Sequence, residues 1–105
     1  MGFQNINIRN IMRESMLTGG VIVDVRSEEE FLRGHIPMAI NIPLDNILDN
    51  NYNLKKGATV IVYCETGGSS TMAARILAEA GFKVYNAVGG LKRYRGSLTR
   101  NAKNV

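Results

Sequence analysis

Thr59-Val60-Ile61-Val62-Tyr63-Cys64-Glu65-Thr66-Gly67-Gly68-Ser69-Ser70 joins a β-branched run to a pair of glycines, with the chain's single cysteine at the junction. The first five residues read as a strand, because β-branched and aromatic side chains fit a pleated, covered surface. From Ser69 or Ser70 onward, Met72, Ala73, Ile76, Leu77 and Ala80 recur at helical spacing, and Gly81 is a natural stop. The stretch therefore predicts strand, Gly-rich turn and helix, with Cys64 at the carboxyl end of the strand.

The same alternation extends in both directions. Upstream, Ile8, Ile11, Met12 and Met16 predict one face of a helix that ends before Gly19-Gly20. Val21 to Val25 reads as a strand covered on both faces. Ser27 takes the N-cap position of the next helix, with Glu28, Glu29 and Glu30 in its first turn and Glu30 in the capping-box place. That accounts for the acidic triplet without a metal. Gly34 and Pro37 bracket a turn, Ala39 to Ile42 is a short strand halted by Pro43, and residues 44–49 form a helical turn. Downstream, Phe82 to Tyr85 predicts a strand, Gly89-Gly90 a turn, and Leu91 to Tyr94 a short helix. Strands separated by helices imply right-handed crossovers, hence an α/β domain with a mostly parallel sheet and helices on both faces.

The 105 residues are 45% hydrophobic and 21% charged, which suits a single domain over residues 1–105 with a core of its own. Val60 to Cys64 is the longest apolar run and far short of a bilayer span, and no leader-like pattern opens the chain. The expectation is a cytoplasmic domain with no membrane partner. The net charge of +4 comes from the end of the chain: residues 91–105 hold five bases and no acid, whereas 1–90 hold eight bases and nine acids. A tail from about 97 to 105 is expected to be solvated and partly frayed. With no nucleic-acid-reading motif beside it, nucleic acid is not an expected partner. One Cys and one His are too few for a structural zinc site, and no internal disulfide can form.

Cys64 has two readings: a small buried core residue, or a nucleophile. Ligands of open parallel sheets bind beyond the carboxyl ends of the strands, where Cys64 stands. The Gly67-Gly68 pair lets successive amides turn inward as an anion-holding nest, to which the following helix adds its positive end. Such surroundings favour a thiolate, although the carboxylate of Glu65 works against one.

Taken together, several segments resemble the single-domain rhodanese-like sulfurtransferases. They are Ile22-Val23-Asp24-Val25-Arg26, Glu30-Phe31 leading to Gly34-His35-Ile36-Pro37, Ala39 to Pro43, Val62-Tyr63-Cys64, Gly81 to Val84, and Gly89-Gly90-Leu91. The likeness runs from about residue 3 to residue 96. It implies a three-layer fold around a five-stranded, mostly parallel sheet. It also implies two-step sulfur transfer, in which Cys64 takes sulfane sulfur from thiosulfate or a persulfide or polysulfide donor, and passes it to a thiol or cyanide acceptor. By the same match Cys64 is the catalytic residue, and Glu65, Thr66, Gly67, Gly68, Ser69 and Ser70 form the substrate cradle, with Arg26 beside it. No metal or cofactor is implied. The partners are a small-molecule sulfur donor and a thiol acceptor, which includes a protein thiol.

The departures from the family pattern are specific. Many active members carry Arg in the sixth loop position, where this chain has Ser69. A less positive cradle puts use of the thiosulfate dianion in doubt and keeps a second reading open, a catalytically weak or inactive binding or regulatory module. The related phosphatases and arsenate reductases use a loop of Cys, five residues and Arg, and Ser70 stands in that Arg position, which argues against phosphoryl chemistry. Met38 stands where the family often has Gly, and Tyr94 where an aromatic, often Trp, follows the Gly-Gly; both read as packing changes. Asp24 and Arg26 are expected to tie loops together, with Arg26 also able to face the pocket. His35 is expected to order its turn, and Arg75 to add only to the field.

Overall fold

The structure, a computed structural model, describes residues 2–100. Its elements in chain order are β1 (Gln4–Asn7), a 3-10 turn (Ile8–Asn10), α1 (Ile11–Thr18), β2 (Val21–Asp24), α2 (Glu28–Arg33), β3 (Ile40–Asn41), α3 (Leu44–Leu48), β4 (Thr59–Tyr63), α4 (Gly68–Glu79), β5 (Lys83–Val88) and α5 (Gly90–Arg93). The five strands form one sheet in the order β1-β5-β4-β2-β3, and every pairing is parallel. The most apolar strand, β4, lies at the centre. Two buried clusters pack on opposite faces of the sheet. Strand alternation sends Val60, Val62 and Cys64 to the α4 side, and Ile61 and Tyr63 to the other. Cys64 thus leaves the central strand aimed at the helix that follows it.

Four elements differ from the sequence expectation. β1 is a strand that hydrophobic patterning does not predict. Its Gln-Asn-Ile-Asn is mostly exposed and pairs with β5 at the sheet edge, so its contribution is chiefly backbone hydrogen bonding, with Ile6 alone packing on the core. β5 extends to Val88, beyond the predicted Tyr85, with a buried Asn86 in its middle. The α1 face includes Ile8 and Ile11, both fully buried, but Met16 is 83% exposed. Ile8 sits in a 3-10 turn that shifts the phase, and at about 100° per residue Met16 falls about 140° around the helix from Ile11. Finally, α4 begins at Gly68, with Gly67 as its N-cap and no capping side chain, so Ser69 and Ser70 lie in its first turn rather than before it.

The α2 capping box forms as the residues predict: Glu30 N–H donates to Ser27 Oγ at 3.2 Å, and the Ser27 N–H donates back to Glu30 at 3.4 Å. Residues 97–100, expected within a solvated tail, are tied to the domain. Thr99 and His35 exchange backbone hydrogen bonds, and Arg100 Nε donates to the Arg33 carbonyl at 2.9 Å. The rest of that basic segment, 101–105, lies outside the described residues. No described helix is long and apolar enough to cross a membrane.

Candidate active site

A helix begins with backbone N–H groups that have no intrahelical partner, and an N-cap side chain ordinarily accepts from the second or third of them. Gly67 has no side chain to offer. The acceptor is the sulfur of Cys64: Ser70 N–H, in the third helical position, points at Sγ at 3.3 Å, and Gly67 N–H donates to it at 3.0 Å. The thiol therefore occupies the place of the missing cap. Gly67 reaches this geometry at φ 129°, in the region open to glycine and strained for other residues. Its carbonyl is fixed by Thr71 Oγ1 at 2.7 Å and by Ser70 Oγ at 3.2 Å.

The outer side of the loop is held by α5. Leu91 N–H donates to the Cys64 carbonyl at 2.8 Å, and Lys92 N–H to the Glu65 carbonyl at 3.0 Å. In a planar trans peptide the N–H lies opposite the C=O, so the Glu65 and Thr66 N–H groups are turned away from α5. Among the described residues, neither they nor the Gly68 and Ser69 N–H groups donate to a protein acceptor. Gly90 permits this close approach. It has φ 64°, and a Cβ there would stand 2.8 Å from the Cys64 carbonyl oxygen and 2.6 Å from the Glu65 carbonyl carbon. Both are backbone atoms with no freedom to yield. Gly90→Ala is expected to displace the loop, lowering stability by about 1–3 kcal/mol. Thermal melts and the alkylation rate of Cys64 by iodoacetamide check this, since a displaced loop changes how the thiol is held.

Cys64 is 4% exposed and opens onto a cavity of about 400 Å³ lined also by Val25, Arg26, Ser27, Glu30, Glu65, Thr66, Gly68 and Ser69. The predicted loop residues are thus gathered around the sulfur, Gly67 and Ser70 through their amides. Ser69, in the position where the resembling family often has Arg, is exposed on the cavity wall.

Arg26 also lines the cavity, yet its guanidinium is committed elsewhere. Its Nε lies 3.1 and 3.2 Å from the two Asp24 oxygens, and one terminal nitrogen donates to Asp24 at 2.8 Å and to the Gly34 carbonyl at 2.6 Å. The other terminal nitrogen meets Glu65 at 3.4 Å. Burial is the largest single influence and opposes the Arg26 charge, but the hydrogen bond to Asp24 and the fields of Asp24, Tyr63 and Glu65 together outweigh it and move the guanidinium pKa above its ordinary value. The Glu65 side chain is 53% exposed, so solvent and Arg26 together weaken its field at the sulfur.

Asp24 is fully buried and also accepts from the Tyr63 hydroxyl at 2.6 Å. That hydroxyl accepts in turn from Ile36 N–H at 3.0 Å, which locks the turn after α2 to the central strand. Burial, reinforced by the bond to Asp24, pushes the Tyr63 phenol far above its ordinary pKa, so it stays a donor. His35 orders its turn: Nδ1 meets the Phe31 carbonyl at 2.8 Å and the ring stacks on Phe31. Neither His35 nor Arg75 lines the Cys64 cavity.

Sequence reading did not assign the site roles of Tyr63, Glu30 as a wall of the cavity, or Gly90 and the Leu91 and Lys92 amides. The doubled glycine before a short helix was the available signal for the last group. The Tyr63–Asp24 bond follows from β2–β4 register, which aligns these two residues and which no local pattern encodes.

Residues 9–97 match the family described as the rhodanese-like domain. The chain is 42% identical over 87 residues to a tRNA sulfurtransferase of Desulfurococcus amylolyticus, covering 83% of this chain and 17% of that protein. It thus spans well under two thirds of that relative's length. It is 34% identical over 76 residues to a thiosulfate sulfurtransferase of Coxiella burnetii, covering 71% of each chain. A rhodanese-like domain protein from Staphylococcus aureus superposes with a TM-score of 0.77 at 29% identity, covering 93% of this chain and 98% of that one.

Proposed function

Because the chain belongs to the rhodanese-like domain family, we propose that it is a sulfurtransferase that carries sulfane sulfur as a persulfide on Cys64. The observation that carries the reading is the pair of backbone N–H groups aimed at Sγ where a helix cap would otherwise sit. In the first step the Cys64 thiolate attacks the outer sulfur of the donor. The Sγ–S bond forms, the donor's own bond to that sulfur breaks, and its electron pair leaves with sulfite or a thiolate. In the second step an acceptor thiolate or cyanide attacks the outer sulfur of the persulfide, and the pair of the broken Sγ–S bond returns to Cys64. Each half is an easier reaction than direct transfer. The loop amides stabilise the anionic sulfur at both stages. These 105 residues hold one cysteine, so an acceptor thiol comes from outside them, small or protein.

The cavity charges bear on the donor. Arg26 is offset by Asp24, and Glu30 and Glu65 stand on the wall. Thiosulfate packs two negative charges into one small ion, whereas a persulfide brings a single charge to the sulfur. The expected result is that Cys64 gains one sulfur atom from either donor, about tenfold faster from glutathione persulfide than from thiosulfate. Intact-mass spectra over time, with each donor separately, read both quantities. No sulfur gained from either donor would overturn the enzymatic reading and leave a binding module on the same fold.

A further inference from the structure

A second cavity, of about 660 Å³, adjoins the loop on its other side. Its lining includes Asn7, Arg9, Thr66, Lys92 and Arg93, with no carboxylate among the lining residues. Thr66 lines both this cavity and the one that holds Cys64, so the two meet across the loop. Arg9 enters from the 3-10 turn and Lys92 and Arg93 from α5, drawn together by Arg9 Nε donating to the Arg93 carbonyl at 3.4 Å. Among the described residues none of these three cations is in a salt bridge. The contrast with the Cys64 cavity is one of charge. There a single guanidinium is paired with Asp24 and Glu65, and Glu30 stands on the wall, while here three exposed cations converge with no carboxylate among the described lining residues.

We infer that this basic cavity is the subsite for the anionic end of the acceptor, and that the acceptor is a small thiol bearing a carboxylate. The inference rests on the sulfur-transfer reading and deepens it. Such a molecule places its negative group among Arg9, Lys92 and Arg93 and its sulfur across Thr66 toward Cys64. Its thiolate forms a bond to the outer sulfur, the Sγ–S bond breaks, and the electron pair remains on Cys64. The cations act twice, concentrating the anion near the loop and holding it so that its sulfur is the end presented. A thiol without an anionic group gains nothing from them, and cyanide, whose only charge is on the reacting ion itself, gains no orientation.

The test compares mercaptosuccinate with thioglycerol as acceptors, using the intact chain and an Arg9→Gln/Arg93→Gln variant. The expected result is that the ratio of kcat/KM for mercaptosuccinate to that for thioglycerol falls at least tenfold in the variant, with most of the change in KM. Any general damage to the loop affects both acceptors and cancels in the ratio. An unchanged ratio would overturn the subsite while leaving sulfur transfer intact. A second arm titrates the protein with succinate, which has no sulfur to transfer, and follows backbone amide shifts by NMR. Saturable shifts centred on Thr66, Lys92 and Arg93, abolished by the variant, support the subsite even if Cys64 accepts no sulfur. Their absence would overturn it.

Discussion

Cys64→Ser is expected to reduce sulfur transfer to the uncatalysed background, a loss of about 10³-fold or more, while leaving the fold in place. A hydroxyl in that position cannot hold a sulfane sulfur, so both half-reactions lose their carrier together. The fold survives for a reason visible in the loop. Gly67 and Ser70 N–H need an acceptor because α4 starts without a capping side chain, and a serine oxygen can accept from both. The stability change is expected to stay within about 1.5 kcal/mol. Steady-state turnover with each donor, set beside a thermal melt of the same variant, checks the two halves. Turnover persisting in a folded Cys64→Ser protein would remove the cysteine from the mechanism.

How much of this was legible in the sequence follows from where each element gets its stability. β2 and β4 are covered on both faces, so burial writes them as the apolar runs Val21 to Val23 and Val60 to Tyr63. The α2 cap is equally readable, because its partners are three residues apart. The edge strand β1 is held by backbone pairing to β5, which leaves no hydrophobic signature in Gln4–Asn7. In the site, the cysteine, the glycine pair and the following helix were readable as one local motif, and Ser69 was identifiable as a departure. What the motif did not contain is what fixes its geometry. The carbonyls of Cys64 and Glu65 are turned by amides 27 residues further along the chain, and the room for that contact is the missing side chain of Gly90. The thiol itself serves as the cap of α4, so a residue type read for its chemistry also carries a structural duty that favours the same conformation.

The Asp24 carboxylate is where the largest loss of stability is expected. Itself fully buried, it receives Arg26 N–H at 2.9 Å, the Arg26 side chain at two nitrogens, and the Tyr63 hydroxyl. Asp24→Ala leaves an Arg26 side chain that is 7% exposed with only the Gly34 carbonyl and the half-exposed Glu65, at 3.4 Å, as partners, and leaves the Tyr63 hydroxyl with no acceptor. Breaking a buried pair from one side costs about 3–5 kcal/mol, a large part of the 5–15 kcal/mol by which such domains are stable. The expected fall in Tm is about 15 °C or more. Most of that cost is the stranded charge rather than the lost attraction, which yields a sharper expectation: Asp24→Ala/Arg26→Met melts higher than Asp24→Ala alone, although it has lost one more native group. Circular dichroism melts of the two variants decide it. A double variant no more stable than the single one would mean that the pair holds the fold by its geometry, through the Gly34 turn and the Glu65 loop, and not chiefly by shielding a charge.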